Sequence, residues 1–222
     1  MKLSKRVLMV FIGGSNVRPI GSAFMLRQPN LVMTAAHVIA DSDDFFLMDL
    51  FNPEPPPVVV REVIYHPTAD VALLVIDELP GMEWFPPGLY FPSGDFPLGQ
   101  EVEAYGFAWI GTERPIPGRL MRGHIQRHVL QNKTGYEYDA YELSFPAFHN
   151  LSGAPVFCPT GYPGERTISA IGVITDSVSY SSEQEGLQIY ASWSLAASFH
   201  PLKEWIVEIG NRFPPSVSRS ED

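Results

Sequence analysis

Sulfur chemistry is almost absent from this chain: 222 residues contain one cysteine, Cys158. No intramolecular disulfide can form, which suits a reducing compartment. Long apolar runs are missing as well. None approaches the roughly 18–20 residues of a membrane-spanning helix, so no membrane association is expected. Basic residues are scarce, 15 Lys and Arg against 25 Asp and Glu, giving a formal net charge of −10. Phosphate-backbone binding usually needs a basic face, so nucleic acid is not an expected partner. Repeats and low-complexity tracts are absent, and helical periodicity is nearly so.

What remains is a globular composition, 45% hydrophobic and 18% charged, with a length that allows one large domain or two small ones sharing a core. The start, Met1 to Arg6 followed by Val7–Ile12, mimics a signal peptide. Its apolar stretch is short and no small-x-small cleavage site follows. A first β-strand closed by Gly13-Gly14 is the better reading, and a cytoplasmic location is expected.

Proline (21) and glycine (18) are scattered along the chain. Between them lie short apolar or alternating runs: Val7–Ile12, Gly21–Leu26, Leu31–Thr34, Val58–Ile64, Val71–Ile76, Glu101–Phe107, Gly123–Leu130, Ala170–Ile174 and Leu187–Ala191. Such runs, bounded by turn residues, read as strands. Only near the end do Pro201, Leu202, Trp205, Ile206 and Ile209 form a helical stripe. The pattern predicts an all-β body with a terminal helix. Pro80–Gly99, dense in Pro, Gly and aromatics, reads as a connector, and Phe213–Asp222 as a loose tail.

Three segments carry chemistry. In Thr34-Ala35-Ala36-His37-Val38 small residues follow a strand and keep an imidazole accessible. In His66-Pro67-Thr68-Ala69-Asp70-Val71-Ala72-Leu73-Leu74 an aspartate opens an apolar strand, and a carboxylate buried there must find a partner. In His149-Asn150-Leu151-Ser152-Gly153-Ala154-Pro155-Val156 a serine sits on a tight turn that exposes its hydroxyl. Each alone fits a plain structural role: a satisfied histidine, a turn-capping acid, an ordinary Ser-Gly.

Together, in the order His, Asp, Ser, they resemble the trypsin/chymotrypsin-like serine peptidases. "TAAHV", "HPTADVALL" and "NLSGAPVF" are similar to that family's three segments, and the likeness extends over roughly residues 5 to 210. The resemblance implies two packed six-stranded Greek-key β-barrels with a C-terminal helix. Residues 1–84 would form the first barrel, 85–98 a connector, 99–196 the second barrel, and 197–222 the helix and tail. It implies that His37 takes the proton of Ser152, that Asp70 fixes the imidazole tautomer, and that the N–H groups of Asn150 and Ser152 form an oxyanion hole. No cofactor is implied. A protein or peptide is the implied substrate, and a regulatory protein partner is expected.

Two departures matter. Asn150 replaces the family's usual glycine, and Asn is the non-glycine residue that best tolerates positive φ. Leu151 replaces the aspartate that, in secreted members, pairs with a newly cut N-terminus, so activation by trimming is not expected. Ala154 in place of glycine is a mild change. By resemblance the substrate pocket has Pro146 at its floor, Thr175, Asp176 and Ser177 as its walls, and Gln188 opposite. Pro146 offers no acid to a basic side chain, so a small or medium uncharged residue is expected before the cut. Thr175 is placed to hydrogen-bond Asp70. Asp176 reads either as an attraction for a basic residue or as a solvated acid. His149 reads as a loop residue. His124 and His128 lack a third ligand, so no metal site is expected. Cys158 reads as a small buried side chain, and Trp84, Trp109 and Trp193 as core or cleft wall. The alternative to an active enzyme is a peptidase-fold binding or regulatory module with a collapsed hole.

Overall fold

The computed structural model describes residues 6–14, 17–50, 56–79, 96–107, 118–133, 135–160, 167–184 and 187–214. Six short strands come first: β1 (Val7–Ile12), β2 (Arg18–Met25), β3 (Leu31–Thr34), β4 (Phe45–Met48), β5 (Val60–Tyr65) and β6 (Ala72–Ile76). A four-residue helix, α1 (Ala36–Ile39), interrupts them. The sheet order is β4-β1-β2-β3-β6-β5. One isolated bridge, Leu47 to Val58, joins β4 to the segment just ahead of β5.

The second half forms a closed barrel, in the order β10-β11-β12-β9-β8-β7. Its strands are β7 (Glu101–Gly106), β8 (Arg119–Lys133), β9 (Tyr136–Leu143), β10 (Pro155–Thr160), β11 (Thr167–Gln184) and β12 (Leu187–Ser198). A terminal helix, α2 (Phe199–Arg212), follows, capped by Ser198, whose side chain accepts from the His200 N–H. The fold is mostly β, as two six-stranded assemblies and a C-terminal helix. Most of the connector and of the tail lies outside the described residues, as do Trp84 and Trp109.

The two-residue period of a strand explains why β1 and β6 are apolar throughout and β3 up to Thr34. Alternate residues enter two different cores. Leu8, Val10, Val32 and Leu74 point inside the first sheet with Val38 and Ile39 of α1. Val7, Met9, Met33 and Leu73 point outward, into a core shared with Phe107, Phe157 and Val173 of the second barrel and with Leu202, Ile206 and Ile209 of α2. Phe24 of β2 stacks on Phe199 of α2 with ring centroids 6.2 Å apart. The barrel has its own interior, which includes Ile125, Leu143, Leu151, Val156 and Ile171. Among the described residues no helix is long and apolar enough to cross a membrane.

Candidate active site

His37 is the second residue of α1, where a strand end was expected. Ala35 and Ala36 are fully buried, and Ala35 is extended at φ −75°, ψ 139°. Larger side chains would push the turn away from the sheet. A helix start leaves N–H groups without partners, and Asp70 supplies them. Its carbonyl accepts from the Ala36 N–H at 3.3 Å and its Oδ1 accepts from the His37 N–H at 2.9 Å. Its Oδ2 lies 2.6 Å from His37 Nδ1. The carboxylate therefore caps α1 and orients the imidazole at once. With Oδ2 against Nδ1 the ring proton belongs on Nδ1, which leaves the Nε2 lone pair for other work. Asp70 is 8% exposed, so this short charge-assisted contact is largely shielded from water.

The loop carrying Asp70 is itself fastened. His66 Nδ1 accepts from the N–H groups of Thr68 at 3.2 Å and Ala69 at 2.9 Å. Trp205 of α2 meets the His66 ring edge-on at 4.9 Å. Burial holds the His66 pKa below the ordinary histidine value. From the second barrel, the Glu137 N–H donates to the Thr68 carbonyl at 2.7 Å.

Ser152 sits half-buried in a turn between the barrel and the first sheet. Asn150 has φ 68°, the only positive φ outside glycine among the described residues, and Gly153 has φ 85°. Leu151 is fully buried in the barrel interior. The Gly153 N–H donates to the Ile174 carbonyl at 2.7 Å, and the Ser152 carbonyl accepts from the Ser22 N–H at 2.8 Å. Among the described residues, neither the Asn150 N–H nor the Ser152 N–H donates to a partner. Ser152 Oγ makes no hydrogen bond to His37. The two segments meet at β2: a methyl group on Gly21 would lie 2.5 Å from the Val38 side chain and 3.1 Å from the Ser152 carbonyl.

A cavity of about 250 Å³ opens beside His37 and Asp70, with Lys133, Tyr138, Thr175 and Asp176 completing its wall. Thr175 does not bond Asp70 as expected. Its hydroxyl accepts from Tyr138 Oη at 3.0 Å and donates to the Leu195 carbonyl at 3.4 Å. Thr175 is a bulge in β11, because Ile174 pairs with Ala196 and Asp176 with Leu195. Asp176 is partly exposed and its carboxylate is already paired. Lys133 Nζ lies 2.5 Å from its Oδ2, and its Oδ1 accepts from the Ser177 N–H at 2.8 Å. Pro146 and Ser177 do not line this cavity, and the Gln188 side chain lies outside the described residues.

Other candidates fall elsewhere. His149 is exposed and Trp193 half-buried. His128 Nε2 lies 2.7 Å from the Phe96 carbonyl, and the His124 ring lies 3.2 Å from Ser144 Oγ. Cys158 is buried and its pKa is pushed up to about 11, by burial first and Glu101 second. Sequence reasoning missed Lys133, Tyr138 and Ser22. Ser22 alone left a signal, a polar residue inside the apolar run Gly21–Leu26.

Similarity to known proteins points the same way. Serine protease Rv3671c of Mycobacterium tuberculosis (strain H37Rv) is 32% identical over 100 residues, 45% of this chain and 23% of that protein's length. The solved active form of the Rv3671c protease superposes with a TM-score of 0.63 at 20% identity, covering 93% of this chain and 82% of that one. The HtrA-type protease AlgW with a decapeptide gives 0.67 at 15% identity, over 94% of this chain and 65% of that one. The MamO protease domain of Magnetospirillum magneticum gives 0.61 at 15% identity, over 93% and 96%. At such identities the solved structures speak for the fold. The family is settled by sequence: the trypsin-like peptidase domain model matches residues 21–163. With His37, Asp70 and Ser152 all inside that span, the chain belongs to the trypsin-like peptidase domain family.

Proposed function

We propose that this chain is a serine endopeptidase that works through His37, Asp70 and Ser152. The observation that carries this reading is the double grip of Asp70 on His37, at 2.6 Å on Nδ1 and 2.9 Å on the backbone N–H. A serine hydroxyl is a weak nucleophile until a base takes its proton. His37 Nε2 is that base. Ser152 Oγ attacks the scissile carbonyl carbon, its proton passes to Nε2, and the carbonyl electron pair becomes an oxyanion. Collapse expels the amine, which leaves with the proton from His37. Water then repeats the sequence and frees the acyl group. The Asn150 and Ser152 N–H groups, unused by the fold, are the donors for the oxyanion. Losing one such donor typically costs about 10²–10³ in rate.

The same reading includes narrow specificity, under control of the substrate or a protein partner. The residue before the cut is small or medium and uncharged. Asp176 supports this because Lys133 already matches its charge. A second reading, a peptidase fold that only holds a peptide, draws support from the missing Ser152–His37 hydrogen bond. A fluorophosphonate probe separates the two. The first predicts a mass adduct on Ser152 that vanishes in Ser152→Ala; the second predicts no adduct in either. A peptide-library cleavage profile then distinguishes a peptidase from an esterase.

A further inference from the structure

Ser22 lies in β2, within a run of five buried residues, and is 0% exposed. It belongs to the first sheet, yet most of its polar contacts are with the second barrel. Its Oγ donates to the Asn150 carbonyl at 2.8 Å and accepts from the Phe107 N–H at 3.0 Å. Its backbone N–H donates to the Ser152 carbonyl at 2.8 Å. Its own carbonyl accepts from Thr34 Oγ1 at 2.8 Å. That carbonyl oxygen would also lie 1.9 Å from any Cβ placed on Gly153.

One residue therefore touches Asn150, Ser152 and Gly153. The proposed oxyanion donors are the N–H groups of Asn150 and Ser152, and the carbonyl of each of those residues is anchored on Ser22. Holding the Asn150 carbonyl fixes the peptide plane that follows it, at a residue already in the left-handed region. Holding the Ser152 carbonyl fixes the plane on the other side of Leu151 and Ser152. Few side chains fit here. Alanine removes both bonds that the hydroxyl makes, to the Asn150 carbonyl and to the Phe107 N–H, which is costly at a shielded contact. A hydroxyl both donates and accepts through one small atom.

We infer that Ser22 is the positioning residue of the oxyanion turn, so that the hole is assembled across the contact between the first sheet and the barrel. This rests on the peptidase reading and adds to it. Wild type is compared with Ser22→Ala and with Ser22→Cys, whose thiol keeps a weaker donor and acceptor in similar space. Three measurements are made: the rate of fluorophosphonate labelling at Ser152, the downfield proton resonance of His37 Nδ1–H, and amide hydrogen exchange over residues 148–153.

In Ser22→Ala, labelling slows at least about 10-fold, a part of what loss of a whole donor costs. Exchange over 148–153 accelerates, and the His37 resonance persists because Asp70 is untouched. Ser22→Cys falls between. Wild-type labelling and exchange in Ser22→Ala would overturn the inference. So would loss of the His37 resonance along with activity, which would make Ser22 a general fold residue. If wild type itself does not label, the peptidase reading falls and exchange over 148–153 alone decides the role of Ser22. If Ser22→Ala does not fold, Ser22→Cys is judged by the same criteria.

Discussion

Asn150 holds φ 68° in a turn whose neighbours leave no choice: Leu151 is buried on one side, and Gly153 presses against the Ser22 carbonyl. An L residue with a Cβ pays roughly 1–2 kcal/mol in the left-handed region, and Asn less than most. Asn150→Ala is therefore expected to be less stable than Asn150→Gly by about 1 kcal/mol, read from urea midpoints. Equal midpoints would show that the turn relaxes on substitution. The residue type at 150 announced its conformation, because asparagine and glycine share that region. The partners of Thr175 and Asp176 were not legible. Tyr138 lies 37 residues from Thr175, and Lys133 lies 43 from Asp176. Only the fold brings such residues together.

At the scale of elements, the segment His66–Asp70 is built before it meets any substrate. His66 Nδ1 can accept from Thr68 and Ala69 only while that nitrogen is unprotonated. Because burial lowers its pKa, the unfolded chain takes up the proton at a higher pH than the folded one. Stability from this source is fully present above about pH 6.5 and drains as pH falls toward the folded value. In His66→Asn the side-chain oxygen keeps an acceptor but does not titrate. Between about pH 7 and about pH 5, wild type should lose Tm more steeply than this variant, as followed by circular dichroism. Parallel slopes would refute the assignment.

Elements were legible where apolar residues ran together, as in Val7–Ile12 and Leu31–Thr34, whose bounds match β1 and β3. Strand β9 escaped because Glu137, Asp139 and Glu142 dilute its aromatics. The outer half of β11, Ser177 to Gln184, is polar apart from Val178 and Tyr180 and pairs along its length with β12, so no core pattern marked it.

The whole molecule has a core that ignores the division of its strands. Phe24, Met33 and Leu73 of the first sheet share one cluster with Phe107, Phe157 and Ile206. A chain of 222 residues with two β assemblies is long enough to unfold in stages. The shared core argues otherwise, since neither half can open without exposing the other. Chemical denaturation followed by tryptophan fluorescence and by far-ultraviolet circular dichroism should give coincident single transitions. Separated transitions would mean that the common cluster is weaker than its burial suggests.

The first assembly, unlike the barrel, keeps a seam where Leu47 and Val58 make a lone bridge. Open strand borders invite neighbouring chains to add on and seed fibres. Pro56 and Pro57, exposed just ahead of Val58, carry no amide hydrogen to offer such a visitor. The seam thus stays unattractive to a visiting strand although only one bridge closes it.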